Sequence, residues 1–168
     1  MTQRTGQRSA ARMRLGVVAA KFNQSVTGKL LSSCLAGLAK HVVKDHHVEV
    51  LRVPGAFEIP LVAKMLAGSG RFDAVICLGA VIRGDTPHFE YICAEVSRGI
   101  GQAALETGVP IVFGVLTTET VVQAIERADP GKFNRGGEAA KVAIEMVRVM
   151  RMISGKVGKS LSQNGRMR

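Results

Sequence analysis

AVICLGAVI, Ala74–Ile82, is an unbroken apolar run that ends abruptly in RGDTPHFEY, Arg83–Tyr91. Nine such residues, rich in Val and Ile, read as a buried strand. The junction after it crowds charge, glycine, proline and histidine together. A helical spacing then resumes through Ile92, Val96, Ile100 and Ala103. A buried strand feeding a helix is the unit from which the fold is built.

The same unit recurs on either side. LGVVAA (15–20), VEVLRV (48–53) and PIVFGVL (110–116) are further apolar, β-branched runs. Between them Leu30, Leu31, Cys34, Leu35 and Leu38, then Ile59, Val62, Ala63 and Leu66, repeat at helical spacing. Gly68-Ser69-Gly70 and Gly108-Val109-Pro110 stop two of these helices. After the fourth run come Val121, Ala124, Ile125 and Ala128, then a long helix through Ala139, Ala143, Met146 and Met150. Strand alternating with helix predicts an α/β fold: a three-layer α/β/α sandwich on a central four-stranded parallel sheet.

In such sheets ligands sit in the crevice outside the carboxyl ends of the strands, so each strand exit is a candidate site. The first exit, AAKFNQSVTGK, places Phe22 where the chain leaves the sheet. Phe22 either covers the sheet end or offers a stacking platform to a planar ligand. Asn23 or Ser25 is suited to cap the next helix. In the second exit, RVPGAFEIP, Gly55 and Ala56 permit close backbone approach and Pro60 suits a helix start. Glu58 there either balances the positive helix end or accepts hydrogen bonds from ligand hydroxyls.

The third exit is the opening junction. With Thr86 as N-cap and Pro87 as first helical residue, His88 falls in the first turn. The backbone amides of Gly84, Asp85 and Thr86 then form a seat for a phosphate. An imidazole beside that seat is placed for proton transfer near neutral pH. In the fourth exit, FGVLTTETVVQAIERA, Thr117 to Thr120 start a helix whose spacing turns Arg127 away from its apolar face. Arg127 and Arg135 are either solvated or an anion clamp. The spacing does not say whether they reach this chain's crevice or a neighbour's.

Composition narrows the alternatives. The 168 residues suit one domain and carry a net charge of +10. Four arginines and no acid lie in residues 1–14, and six basic residues and no acid in 148–168. Residues 15–147 hold thirteen of each sign and are neutral. The basic character therefore belongs to the ends, read as flexible arms over 1–13 and 154–168 flanking a domain over 14–153. A specific nucleic-acid module is not indicated. Neither a span of about 20 apolar residues nor a secretory signal is found, so no membrane association is expected. Cys34, Cys77 and Cys93 share no metal-ligand spacing and read as reduced structural thiols in a cytoplasmic protein. His46-His47 precedes the second strand, away from the ligand edge, and reads as structural. No GxGxxG, P-loop or metal set is found.

Taken together, VPGAFEIP, LGAVIRGDTPHFEYIC, FGVLTTET and NRGGEAA resemble the lumazine synthase family over roughly residues 14–150. The resemblance implies a flavodoxin-like strand order. It also implies condensation of 5-amino-6-(D-ribitylamino)uracil with 3,4-dihydroxy-2-butanone 4-phosphate, giving 6,7-dimethyl-8-ribityllumazine, phosphate and water. This is the penultimate step of riboflavin biosynthesis and takes no cofactor or metal. By the same resemblance Phe22 stacks on the uracil, and Ala56, Phe57 and Glu58 hold the ribityl chain. Ala80, Val81 and Ile82 line the heterocycle's place. Gly84, Asp85, Thr86 and Arg127 bind phosphate, and His88 moves protons. Phe113 and Arg135 also bind substrate, and Phe113 and the Arg127 region come from the adjacent subunit, so the site requires a homo-oligomer. That oligomer is a pentamer, with decamers and sixty-subunit shells as larger forms, and riboflavin synthase is an associated partner.

Three departures stand out. Arg135 replaces a common lysine, Lys21 replaces a common arginine, and Asp129–Phe133 differs from the usual small turn that bears on shell assembly. Two other functions fit the same residues less fully: a lumazine- or flavin-binding protein without turnover, and a nucleic-acid or assembly protein driven by its basic ends.

Overall fold

A computed structural model describes the backbone of residues 13–41 and 48–164, with side chains described through residue 155. The arms at 1–12 and 165–168 and the His46-His47 pair lie outside the described residues. The elements run β1 (Leu15–Ala20), α1 (Gln24–Ala39), β2 (Val48–Val53), α2 (Ile59–Gly68) and β3 (Ala74–Ile82). They continue through α3 (His88–Thr107), β4 (Ile111–Thr118), α4 (Val121–Ala128) and α5 (Arg135–Asn164). All strand pairs are parallel, in the order β2-β1-β3-β4. This is the expected sandwich and the expected order.

Alternation along the strands divides the core into two layers. Leu15, Val17 and Ala19 of β1 and Ala74, Ile76 and Leu78 of β3 pack on α1, α4 and α5. Val18 and Ala20, with Val75 and Cys77, pack on α2 and α3 from the other side. Successive residues of a strand point to opposite faces, so an all-apolar run is what a doubly covered strand requires. Burial pushes the Cys34 thiol up to about 12, and the Cys77 thiol up as well, leaving both as inert packing.

Several boundaries differ from the sequence reading. β4 starts at Ile111 rather than Pro110 and runs two residues further, because Thr117 and Thr118 pair with Val81 and Ile82 at the end of β3. Pro110 has no amide to donate, and serves instead through its carbonyl, which accepts from Val75 N at 2.9 Å. Thr120 alone caps α4, accepting from Gln123 N. In α3 the cap position is Pro87, not Thr86, and His88 is the first helical residue. Asn23 occupies the cap position of α1 but its side chain does not cap, and neither does that of Ser25. Met13, assigned to the arm, is fully buried beside β1. At the other end α5 continues through residues 154–164, beyond the domain boundary expected at 153.

The α1–α5 contact depends on a residue without a side chain. A Cβ on Gly136 would lie 2.2 Å from both Leu30 O and Ser33 Oγ. Leu30 O belongs to a helix backbone and cannot yield cheaply. Gly136→Ala is therefore expected to destabilise the fold by about 1–3 kcal/mol. That lowers Tm by roughly 3–10 °C for a chain of this size. Thermal unfolding reads the shift, and an unchanged midpoint would mean that the helices separate freely there.

Candidate active site

The carboxyl ends of β1, β2 and β3 converge on a cleft of about 280 Å³. Each strand delivers a different chemical type. After β1 the chain turns sharply, with Lys21 N and Phe22 N donating to Val53 O and Pro54 O of the second exit. Asn23 follows in the left-handed region, at φ 57°, a conformation asparagine tolerates better than most residues. Its Nδ2 donates to Ala80 O at 2.9 Å, which ties the first exit to the third. This cross-link occupies the side chain that a helix cap would have used. The turn leaves Phe22 70% exposed on the cleft wall.

The second exit supplies Gly55, Ala56, Phe57 and Glu58. Glu58 takes the cap position of α2, and its Oε2 accepts from Gly55 N at 2.9 Å. One carboxylate oxygen thus holds its own loop in shape, while the group remains exposed on the cleft wall. Phe57 is more than half exposed, while Ala56 is buried at the floor. Ala80, Val81 and Ile82 of β3 complete the apolar part.

The third exit adds Gly84, Thr86 and His88, with Phe89 and Ile92 from α3 behind them. Among the described residues, the amides of Gly84, Asp85 and Thr86 donate to no protein acceptor. Free amides beside the first turn of a 20-residue helix are the arrangement that attracts an anion. Asp85 is exposed but does not line the cleft, so any part it plays is through its backbone.

Phe113, Arg127 and Arg135 are not brought to this cleft. They line a second concavity of about 660 Å³ along β4, one of the two edge strands of the sheet, backed by α5. Arg127 is half-buried, donates through Nη1 to Gln123 O at 3.1 Å and lies 5.5 Å over the Phe133 ring. Arg135 pairs with Glu138 Oε2 at 2.7 Å. Phe113, 45% exposed, lines the same concavity, as does Met146. The two concavities share no residue.

Sequence reasoning missed Asn23 and Phe89 as cleft walls and Glu138 as the partner of Arg135. Glu138 was within reach, since it stands three residues from Arg135 on one helix. Among the described residues, no group of three His, Cys, Asp or Glu side chains is arranged to hold a metal, and no helix is long and apolar enough to cross a membrane.

Comparison with known proteins gives the geometry its context. Residues 12–151 match the family described as 6,7-dimethyl-8-ribityllumazine synthase. A curated protein of that name from Syntrophus aciditrophicus (strain SB) is 55% identical over 148 residues, covering 88% of this chain and 96% of that protein. The matched region contains both concavities and every candidate residue, so the chain belongs to the 6,7-dimethyl-8-ribityllumazine synthase family.

Proposed function

We infer that this chain is a transferase that condenses 5-amino-6-(D-ribitylamino)uracil with 3,4-dihydroxy-2-butanone 4-phosphate, forming 6,7-dimethyl-8-ribityllumazine. The observation that carries the reading is the strand-end cleft, where an aromatic platform, a carboxylate, free amides and one histidine meet. Phe22 stacks on the pyrimidine, with Val81 and Ile82 beside it. Glu58 and the Ala56-Phe57 backbone hold the ribityl hydroxyls. The Gly84–Thr86 amides hold the phosphate. The amine attacks the ketone and loses water to give an imine, and phosphate then leaves. The resulting enol tautomerises before ring closure and a second loss of water. His88 takes and returns protons in these steps, a contribution of about 10²–10⁴-fold.

The cation for the leaving phosphate comes from another copy of the chain. Arg127 lies in the second concavity, beside Phe113 and Arg135, and a neighbour's β4 edge laid against the cleft would bring all three to the substrate. Exposed apolar side chains support such packing: Leu61 and Met65 on α2, Val121 and Val122 on α4, and Phe133. A cytoplasmic homopentamer is the assembly this reading favours, with riboflavin synthase consuming its product.

Mixing purified protein with both substrates should produce lumazine absorbance and release phosphate in step. An assembled preparation that yields neither would overturn the assignment.

A further inference from the structure

Arg83 follows the cleft strand directly, yet it does not line the cleft. Its guanidinium is taken up on three sides. Nη1 donates to Glu90 in the first turn of α3, and Nε donates to Glu119 Oε2 at 2.5 Å in the β4–α4 turn. The same group lies 4.3 Å over the ring of Phe89, which is a wall of the cleft. Its backbone N donates to Thr118 O at 2.9 Å. These contacts surround the loop Gly84–Thr86, whose own amides have no protein acceptor among the described residues. One side chain thus joins the strand before the loop, the helix after it and the neighbouring strand exit.

We propose that Arg83 is a positioning residue that holds the phosphate-seating loop and the His88 turn in place through Glu90, Glu119 and Phe89, without touching substrate. The proposal rests on the reading of the cleft as the site of the condensation. A free arginine next to a phosphate seat would bind the anion itself. Here two carboxylates compete for it, and the planar fork satisfies both at once. The loop is therefore shaped before substrate arrives, which lowers the ordering cost of binding. Exposed ion pairs and a cation–π contact are individually weak, so their combined effect on phosphate binding is modest.

The test uses the full-length wild-type protein and the variants Arg83→Gln, Arg83→Lys, Glu90→Gln and Glu119→Gln. Steady-state kinetics with each substrate varied are combined with inhibition by inorganic phosphate. Arg83→Gln is expected to raise KM for the butanone phosphate and Ki for inorganic phosphate together, by about five- to thirtyfold. KM for the ribitylaminouracil should stay within about twofold, since its cleft residues are not held by Arg83. Arg83→Lys should recover part of the loss, keeping charge but satisfying only one carboxylate. Glu119→Gln and Glu90→Gln should each raise the phosphate Ki less, and a further variant combining these two substitutions should be non-additive. A lower Ki in the glutamate variants would show that Arg83, once freed, binds phosphate directly, and would overturn the positioning role. Unchanged phosphate constants in Arg83→Gln, or equal rises in both KM values, would overturn it too. Should the wild-type protein fail to turn over, the functional reading fails instead, and phosphate binding to the same variants by calorimetry still decides the role of Arg83.

Discussion

Replacing Arg127 by alanine is expected to lower kcat/KM for 3,4-dihydroxy-2-butanone 4-phosphate by about 10²–10³-fold while leaving KM for the ribitylaminouracil nearly unchanged. The reason is the state of the guanidinium. It is half-buried and oriented by Gln123 O at 3.1 Å and by the Phe133 ring; Glu126 lies near enough to interact electrostatically, but no carboxylate is hydrogen-bonded to it among the described residues. Arg83 and Arg135, by contrast, are already paired with glutamates. A preorganised cation that no carboxylate holds by hydrogen bonds stabilises a departing dianion without first breaking a hydrogen-bonded ion pair. Arg127→Lys should recover part of the loss, since the charge survives and the planar fork does not. Varying each substrate in turn reads the split. Equal effects on both substrates would remove Arg127 from the phosphate and leave it a structural role.

How much of this was legible in the sequence depended on the range of the forces involved. β1, β2 and β3 begin and end where their runs do, and for the two inner strands, β1 and β3, the reason is that a strand covered on both faces tolerates no polar residue within it. β4 is an edge strand and its far end is set by pairing to β3, so Thr117 and Thr118 joined it without an apolar signal. Caps failed for a related reason. Asn23 has the right chemistry for a local cap, but its amide finds Ala80 O, 57 residues away, and no local rule anticipates that partner. That a cleft would open at the strand ends was readable from topology alone. The separation of the candidate residues into two concavities was not. Phe113, Arg127 and Arg135 belong to one concavity and Phe22, Glu58 and His88 to another, which depends on how β4 and α5 bound an open sheet edge. The family resemblance supplied that division where spacing had left it open. The pairing of Arg83 with Glu119, across 36 residues and two strand exits, left no local trace at all.

The divided site makes the second large effect a test by mixing. His88→Ala is expected to lower kcat by about 10²–10⁴-fold without abolishing turnover. What remains is the orientation of two bound reactants, worth about 7–11 kcal/mol, to which His88 contributes little. Arg127→Ala fails for an unrelated reason, the loss of the phosphate's cation. His88 lines the strand-end cleft and Arg127 the concavity along β4; on the proposed reading, in which the two concavities meet between copies of the chain, the two lesions fall on different sides of each interface. Subunits of the two variants, unfolded together in equal amounts and reassembled, would place an intact cleft beside an intact Arg127 at about one interface in four. Activity should therefore rise from the low level of either variant to about a quarter of wild type. Each variant reassembled alone should gain nothing. If mixing restores no activity although mixed oligomers form, the cation and the cleft act within a single chain. Arg127 would then have to reach the cleft by a rearrangement of α4, and the exposed apolar faces would need another explanation.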